Sequence, residues 1–140
     1  MALKKILAFD SWTEGSRNFQ RLLPVLQSFG ISLKLVHLGS WGNEPERPRR
    51  ETIGQLEVCD IAAYPNGSFE KLLDIEKPDA VILLSTATFA HRAFLRYCKQ
   101  RSIASLHLYH GLMSVQVTED HRGSVKINKI AHIRYVLSRL

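Results

Sequence analysis

Short apolar runs alternate along this chain with stretches in which apolar residues return every three or four positions, and Gly, Pro or charge marks each change. Residues 3–9 are the first run and predict a strand; Phe19, Leu22, Leu23, Leu26 and Phe29 follow at helical spacing and predict a helix ending at Gly30. Pro24 falls inside that pattern and removes a backbone donor, so a kink or a late helix start is expected. Residues 31–38 (ISLKLVHL) predict a second strand.

The next stretch, 39–55 (GSWGNEPERPRRETIGQ), is dense in Gly, Pro and charge and reads as one long loop. Loops beyond about 12 to 15 residues in a compact domain are usually functional or disordered, so a mobile segment or a partner contact is expected. Arg47, Arg49 and Arg50 make it the most basic patch, and a plain solvated loop would carry the same charges. Residues 56–61 predict a short third strand. Ser68 is placed to cap a helix through Leu72, Leu73 and Ile75, which must stop at Lys77 because Pro78 disfavours helical backbone in the residue before it.

Residues 79–85 (DAVILLS) are an unbroken apolar run, the pattern of a parallel strand covered on both faces. Thr88 can cap the next helix, which turns Ala90, Phe94, Tyr97 and Cys98 inward, and residues 103–109 predict a fifth strand. A last helix is expected over 124–140, with Ile130, Ile133, Leu137 and Leu140 along one stripe. This alternation predicts a three-layer, Rossmann-like α/β domain: a mostly parallel sheet of five or more strands, helices on both faces, and ligand sites beyond the carboxyl ends of the strands. Three pairs stand at such ends: Asp10-Ser11, Ser85-Thr86 and His110-Gly111.

At 140 residues and 45% hydrophobic content the chain can bury one core of ordinary size but not two, so 1–140 reads as one domain. Nineteen Lys and Arg against 13 Asp and Glu leave +6, which suits nucleic acid, an anionic membrane surface or a phosphorylated substrate, with no motif specific to nucleic acid. Cys59 and Cys98 lack zinc-type or redox spacing, so buried, reduced thiols and no metal site are expected. The opening MALKKILAFD has too few apolar residues before Asp10 for a secretory core or a membrane span, and a cytoplasmic chain is expected.

The turn at 10–19 gathers Asp10, Ser11, Thr13, Glu14, Gly15 and Ser16. Helix-start N–H groups attract anions, and the hydroxyls can hydrogen-bond a sugar or phosphate; equally, these residues cap a helix. The absence of G-x-G-x-x-G and of the Walker pattern argues against a nicotinamide enzyme and a P-loop ATPase. In STATFAH (85–91), Ser85, Thr86 and Thr88 either line a cleft or cap the helix, and His91 reads as a surface residue. His110 exchanges protons near neutrality and Gly111 permits close approach, so His110 is the candidate catalytic group, with a plain turn as the alternative.

FDSWTEGSRNFQRLLPVLQSFG and KPDAVILLSTATFAHRAFLRYCKQRSIASLHLYHG, in that order and spacing, resemble the amino-terminal Rossmann-like half of GT-B glycosyltransferases, especially bacterial enzymes of surface-polysaccharide assembly. The resemblance covers residues 3 to 111. It implies a nucleotide-sugar-dependent glycosyltransferase of cell-surface glycan synthesis, in which this domain holds a glycan or lipid-linked sugar acceptor and is not active by itself. The nucleotide-sugar donor and the family's donor-binding Glu motif then belong to a second, carboxyl-terminal domain, so no cofactor is expected here. Thr13 to Ser16 match the acceptor-side loop, and His110-Gly111 the interdomain cleft. Basic residues would bring such an enzyme to an anionic inner membrane face.

Two other classes compete. Cobalamin-binding domains carry D-x-H-x-x-G after the first strand; Asp10 and Gly15 match it and STATFAH resembles that family's second contact segment. However, Trp12 stands where the ligating imidazole belongs, and an indole N–H cannot ligate a metal. A non-catalytic interaction domain of receiver type would need clustered acids near Asp10 and a Lys at the fifth strand's end, where His110 stands.

Overall fold

The first apolar run becomes the middle of a sheet. In the computed structural model, which describes residues 3–42 and 46–108 without the side chains of Thr13 and Glu14, six strands and three α-helices alternate. They are β1 (Lys5–Phe9), α1 (Trp12–Ser28), β2 (Ser32–His37), β3 (Arg50–Ile53), β4 (Leu56–Asp60), α2 (Phe69–Glu76), β5 (Ala80–Leu83), α3 (Phe89–Gln100) and β6 (Ala104–His107). The sheet order is β3-β4-β2-β1-β5-β6, and every neighbouring pair is parallel except β3–β4. The α/β, Rossmann-like topology read from the alternation is the one observed.

Successive side chains of a strand point to opposite faces, so an unbroken apolar run feeds two cores at once. Ile6 and Ala8 of β1 join Leu33, Leu35 and Ile82 beneath Phe19 and Leu23 of α1. Leu7 and Phe9 turn the other way, joining Val36, Val81 and Leu83 beneath Leu72 and Leu73 of α2 and Phe94 and Cys98 of α3. Helices thus cover both faces. Cys59 and Cys98 are buried and unbridged, and burial pushes the Cys98 thiol up to about 12.

The helix punctuation is chemical. Ser68 Oγ accepts from the Lys71 N–H at 3.5 Å to open α2, and Lys77 closes it in the left-handed conformation, with φ of 45° and its N–H donating to the Leu73 carbonyl. At the amino edge of the sheet, the Asp79 carboxylate accepts the Lys4 and Lys5 N–H groups, both at 2.8 Å. Beside it, the buried Glu76 binds Lys5 Nζ at 2.7 Å, Lys34 Nζ at 2.9 Å and the Tyr64 hydroxyl at 2.5 Å.

Three expectations are corrected. Residues 50–53, inside the stretch read as loop, form β3: the outer edge of β4 is open, and Gly54, at φ of +63°, folds the chain back so that Ile53 faces Leu56. The α1 helix starts early, at Trp12, and runs through Pro24, which lies on its exposed side. Phe29, placed on the helix's apolar stripe, lies just past its end and is 75% exposed. No helix among the described residues is long and apolar enough to cross a membrane. His110, Gly111 and the helix expected over 124–140 lie outside the described residues.

Candidate functional site

From β1 the chain moves outward through β2 to β4, then returns to the other side of β1 for β5 and β6. The reversal between β1 and β5 is a topological switch point, where the loops leaving the two strands diverge and open a crevice at the carboxyl edge. Asp10 and Ser11 leave β1 here, and Leu84, Ser85 and Thr86 leave β5.

Asp10 stands directly after β1 at this edge. It is 7% exposed, and its Oδ1 accepts from the Ser11 N–H at 2.7 Å. That same oxygen lies 3.9 Å from His91 Nε2, one turn into α3. The His91 ring is buried, edge-on to Phe9 with centroids 5.2 Å apart. Its Nδ1 meets Thr88 Oγ1 at 2.6 Å, and the same hydroxyl oxygen accepts the His91 backbone N–H at 3.3 Å. A lone pair on Nε2 would face the Asp10 carboxylate, so electrostatics select the tautomer in which Thr88 O–H donates to Nδ1 and Nε2 carries the proton. Burial lowers the His91 pKa; the Asp10 charge opposes this and His107, at the end of β6, adds to it. Near neutrality the ring is uncharged.

The remaining residues fall into separate roles. Ser11 is exposed at the crevice rim, and Ser85 Oγ accepts the Ala87 N–H at 3.1 Å, tightening the turn after β5 next to the half-buried Thr86. Ser16 is buried on α1. Gly15 packs closely: an added Cβ would lie 2.9 Å from Leu35 Cδ1 and 3.3 Å from the Asp10 Cβ, so a side chain there would force Leu35 to shift. The side chains of Thr13 and Glu14, with His110 and Gly111, lie outside the described part; among the described residues Asp10 and Thr88 meet through His91, and Ser11, Ser85 and Thr86 follow the paired strands β1 and β5 at the same edge.

Sequence reading placed His91 on the surface, whereas it is on the inward stripe of α3. The signal was there: His91, Phe94 and Cys98 recur at helical spacing, and the polarity of an imidazole masked it. A second buried set also went unread. The His37 ring, fully buried at the end of β2, accepts the Gly39 N–H on Nδ1 at 3.0 Å and lies 3.3 Å from Asp60 Oδ2. Asp60 accepts the Ser40 N–H and the Ala62 N–H, both at 2.8 Å, and the Ser40 hydroxyl. Burial opposes ionisation of Asp60, but these hydrogen bonds and His37 prevail and lower its pKa. This set fixes the turns after β2 and β4.

The stretch after β2 returns to the start of α1. Arg47 stacks over the Trp12 ring 3.3 Å from its centroid, and the Trp12 N–H donates to Glu51 Oε1 at 2.7 Å. Compared with known proteins, the chain matches no family model, no curated protein and no solved structure.

Proposed function

We propose that this domain holds the acceptor in a nucleotide-sugar-dependent glycosyl transfer of cell-surface glycan synthesis, and that a second, carboxyl-terminal domain holds the donor. The observation that carries the reading is the Asp10–His91 pair at the switch point, with 3.9 Å between Oδ1 and Nε2. A hydroxyl within about 3 Å of the Asp10 carboxylate can pass its proton to it, while the buried His91 ring holds that carboxylate from within the fold. As the proton passes to Asp10, the acceptor oxygen bonds to the anomeric carbon of the sugar and the nucleotide departs with the electron pair of the broken bond. Ser11, Thr86 and Thr88 at the rim suit the remaining hydroxyls of a glycan. His110, which lies outside the described residues, is the second candidate base.

The cobalamin alternative loses support here, because the Trp12 indole N–H is taken by Glu51 and Gly15 is explained by its packing on Leu35. The test is amide NMR on the 140-residue chain with lactose, cellobiose and chitobiose, alongside calorimetry with UDP-glucose, GDP-mannose and CMP-sialic acid. The glycans are expected to shift the Ser11, Ser85 and Thr86 amides, with the shifts lost in Asp10→Asn, while the nucleotide sugars bind weakly. Nucleotide-sugar binding near micromolar, about −8 kcal/mol, would put the donor site in this domain and overturn the division of labour.

A further inference from the structure

None of the twelve residues of α3 is acidic, and its outer side exposes Arg92, Arg96 and Lys99. Arg92 and Arg96 lie one turn apart, a like-charge spacing that destabilises a helix unless an anion answers it. Among the described residues none does; Arg101, just beyond the helix, is the cation that reaches α2, at 3.1 Å from Asp74 and 3.6 Å from Glu70. At the head of the same face Phe89 is 80% exposed, the most exposed of the large apolar side chains in the described residues. Phe89, Arg92, Ala93, Arg96 and Tyr97 line one shallow groove along the helix.

We propose that this face of α3 is where the domain rests on an anionic phospholipid surface. Guanidinium groups pair with lipid phosphates, and an exposed aromatic ring settles at headgroup depth. The apolar stripe of α3, Phe94 and Cys98, is committed to the core, so the helix cannot sink and the contact is shallow, reversible and sensitive to salt. Single-stranded nucleic acid stacks successive bases on a series of exposed aromatic rings along a basic groove, and among the described residues this face offers one such ring, Phe89. The inference rests on the acceptor reading in one respect: α3 starts at the crevice, so a domain resting on its first turns brings Asp10 and His91 to the depth of a lipid-linked sugar.

The test is flotation of the 140-residue chain with vesicles of phosphatidylcholine containing about one-third phosphatidylglycerol, in low salt. Binding is expected to these vesicles and not to phosphatidylcholine alone. Each basic residue contributes roughly fivefold to partitioning, so R92E/R96E is expected to lower it at least tenfold, and F89S several-fold. R17E/R21E makes the same charge change on exposed residues of α1, which covers the opposite face of the sheet, and is expected to have a clearly smaller effect. Absent vesicle binding, equal losses from the two Arg pairs, or an R92E/R96E-sensitive affinity for oligo-dT exceeding that for vesicles would each overturn the proposal. Thermal melts check that the variants fold. The disaccharide shifts do not depend on Arg92 or Arg96, so failure here leaves the acceptor reading standing, and failure of the glycan test leaves the vesicle result intact.

Discussion

One side chain, His91, joins fold and proposed chemistry. Its pKa falls below the ordinary value of 6.5 because burial outweighs the attraction of Asp10, and His107 adds to the lowering. The unfolded chain therefore takes up this proton before the folded one does. The corresponding stability is complete above about pH 6.5 and is lost as the pH falls through and below it. In His91→Gln, the decline in unfolding free energy between about pH 7 and pH 5 is expected to flatten, read from urea midpoints across that range. An unchanged slope would assign the decline to other groups. The sequence shows where an imidazole stands but not its partners: Asp10 is 81 positions away and reaches His91 only because β5 pairs beside β1. Gly15 was legible as a glycine of the first turn, while its reason, the bulk of Leu35 on the neighbouring strand, was not.

At the scale of elements, local chemistry was read most fully. Ser68 and Thr88 were both recognised as caps, and both accept the N–H three residues on. They are expected to separate on substitution. Ser68→Ala loses a cap and about 1 kcal/mol, with no effect in the crevice. Thr88→Ala loses a similar cap and also the hydroxyl that fixes the His91 tautomer, so its thermal loss should be larger and the His91 ring resonances should move. Equal losses, with the His91 resonances unmoved, would reduce Thr88 to a cap. The strands buried on both faces were visible as apolar runs, but β3 was not, because its burial alternates between exposed and half-buried and its Arg and Glu read as loop. A strand at an edge needs only a neighbour with open hydrogen-bonding groups, and that neighbour is not encoded in the strand itself.

Across the whole molecule, the two edges of the sheet do different work. The carboxyl edge holds the crevice, while the amino edge is tied together by Glu76, which joins β1 through Lys5, β2 through Lys34 and its own helix α2. Burial disfavours the Glu76 charge, but hydrogen bonds from Lys34, Lys5 and Tyr64 prevail and bring its carboxyl from 4.5 to about 2. That stabilisation is complete above about pH 4.5 and is lost as the pH falls toward 2. Glu76→Gln is expected to cost about 3 kcal/mol at neutral pH and to flatten the acid limb of unfolding, measured by circular dichroism against pH. A full acid limb in the variant would show that other carboxylates set it. The central position of β1 also governs the order in which the protein can take shape on the ribosome. β1 leaves the exit tunnel first, yet one of its two sides stays open until β5 follows, and its leading N–H groups wait for Asp79. Until then the nascent chain carries a bare apolar strand flank, so the pace of synthesis between β1 and β5 sets how long a chaperone has reason to hold it.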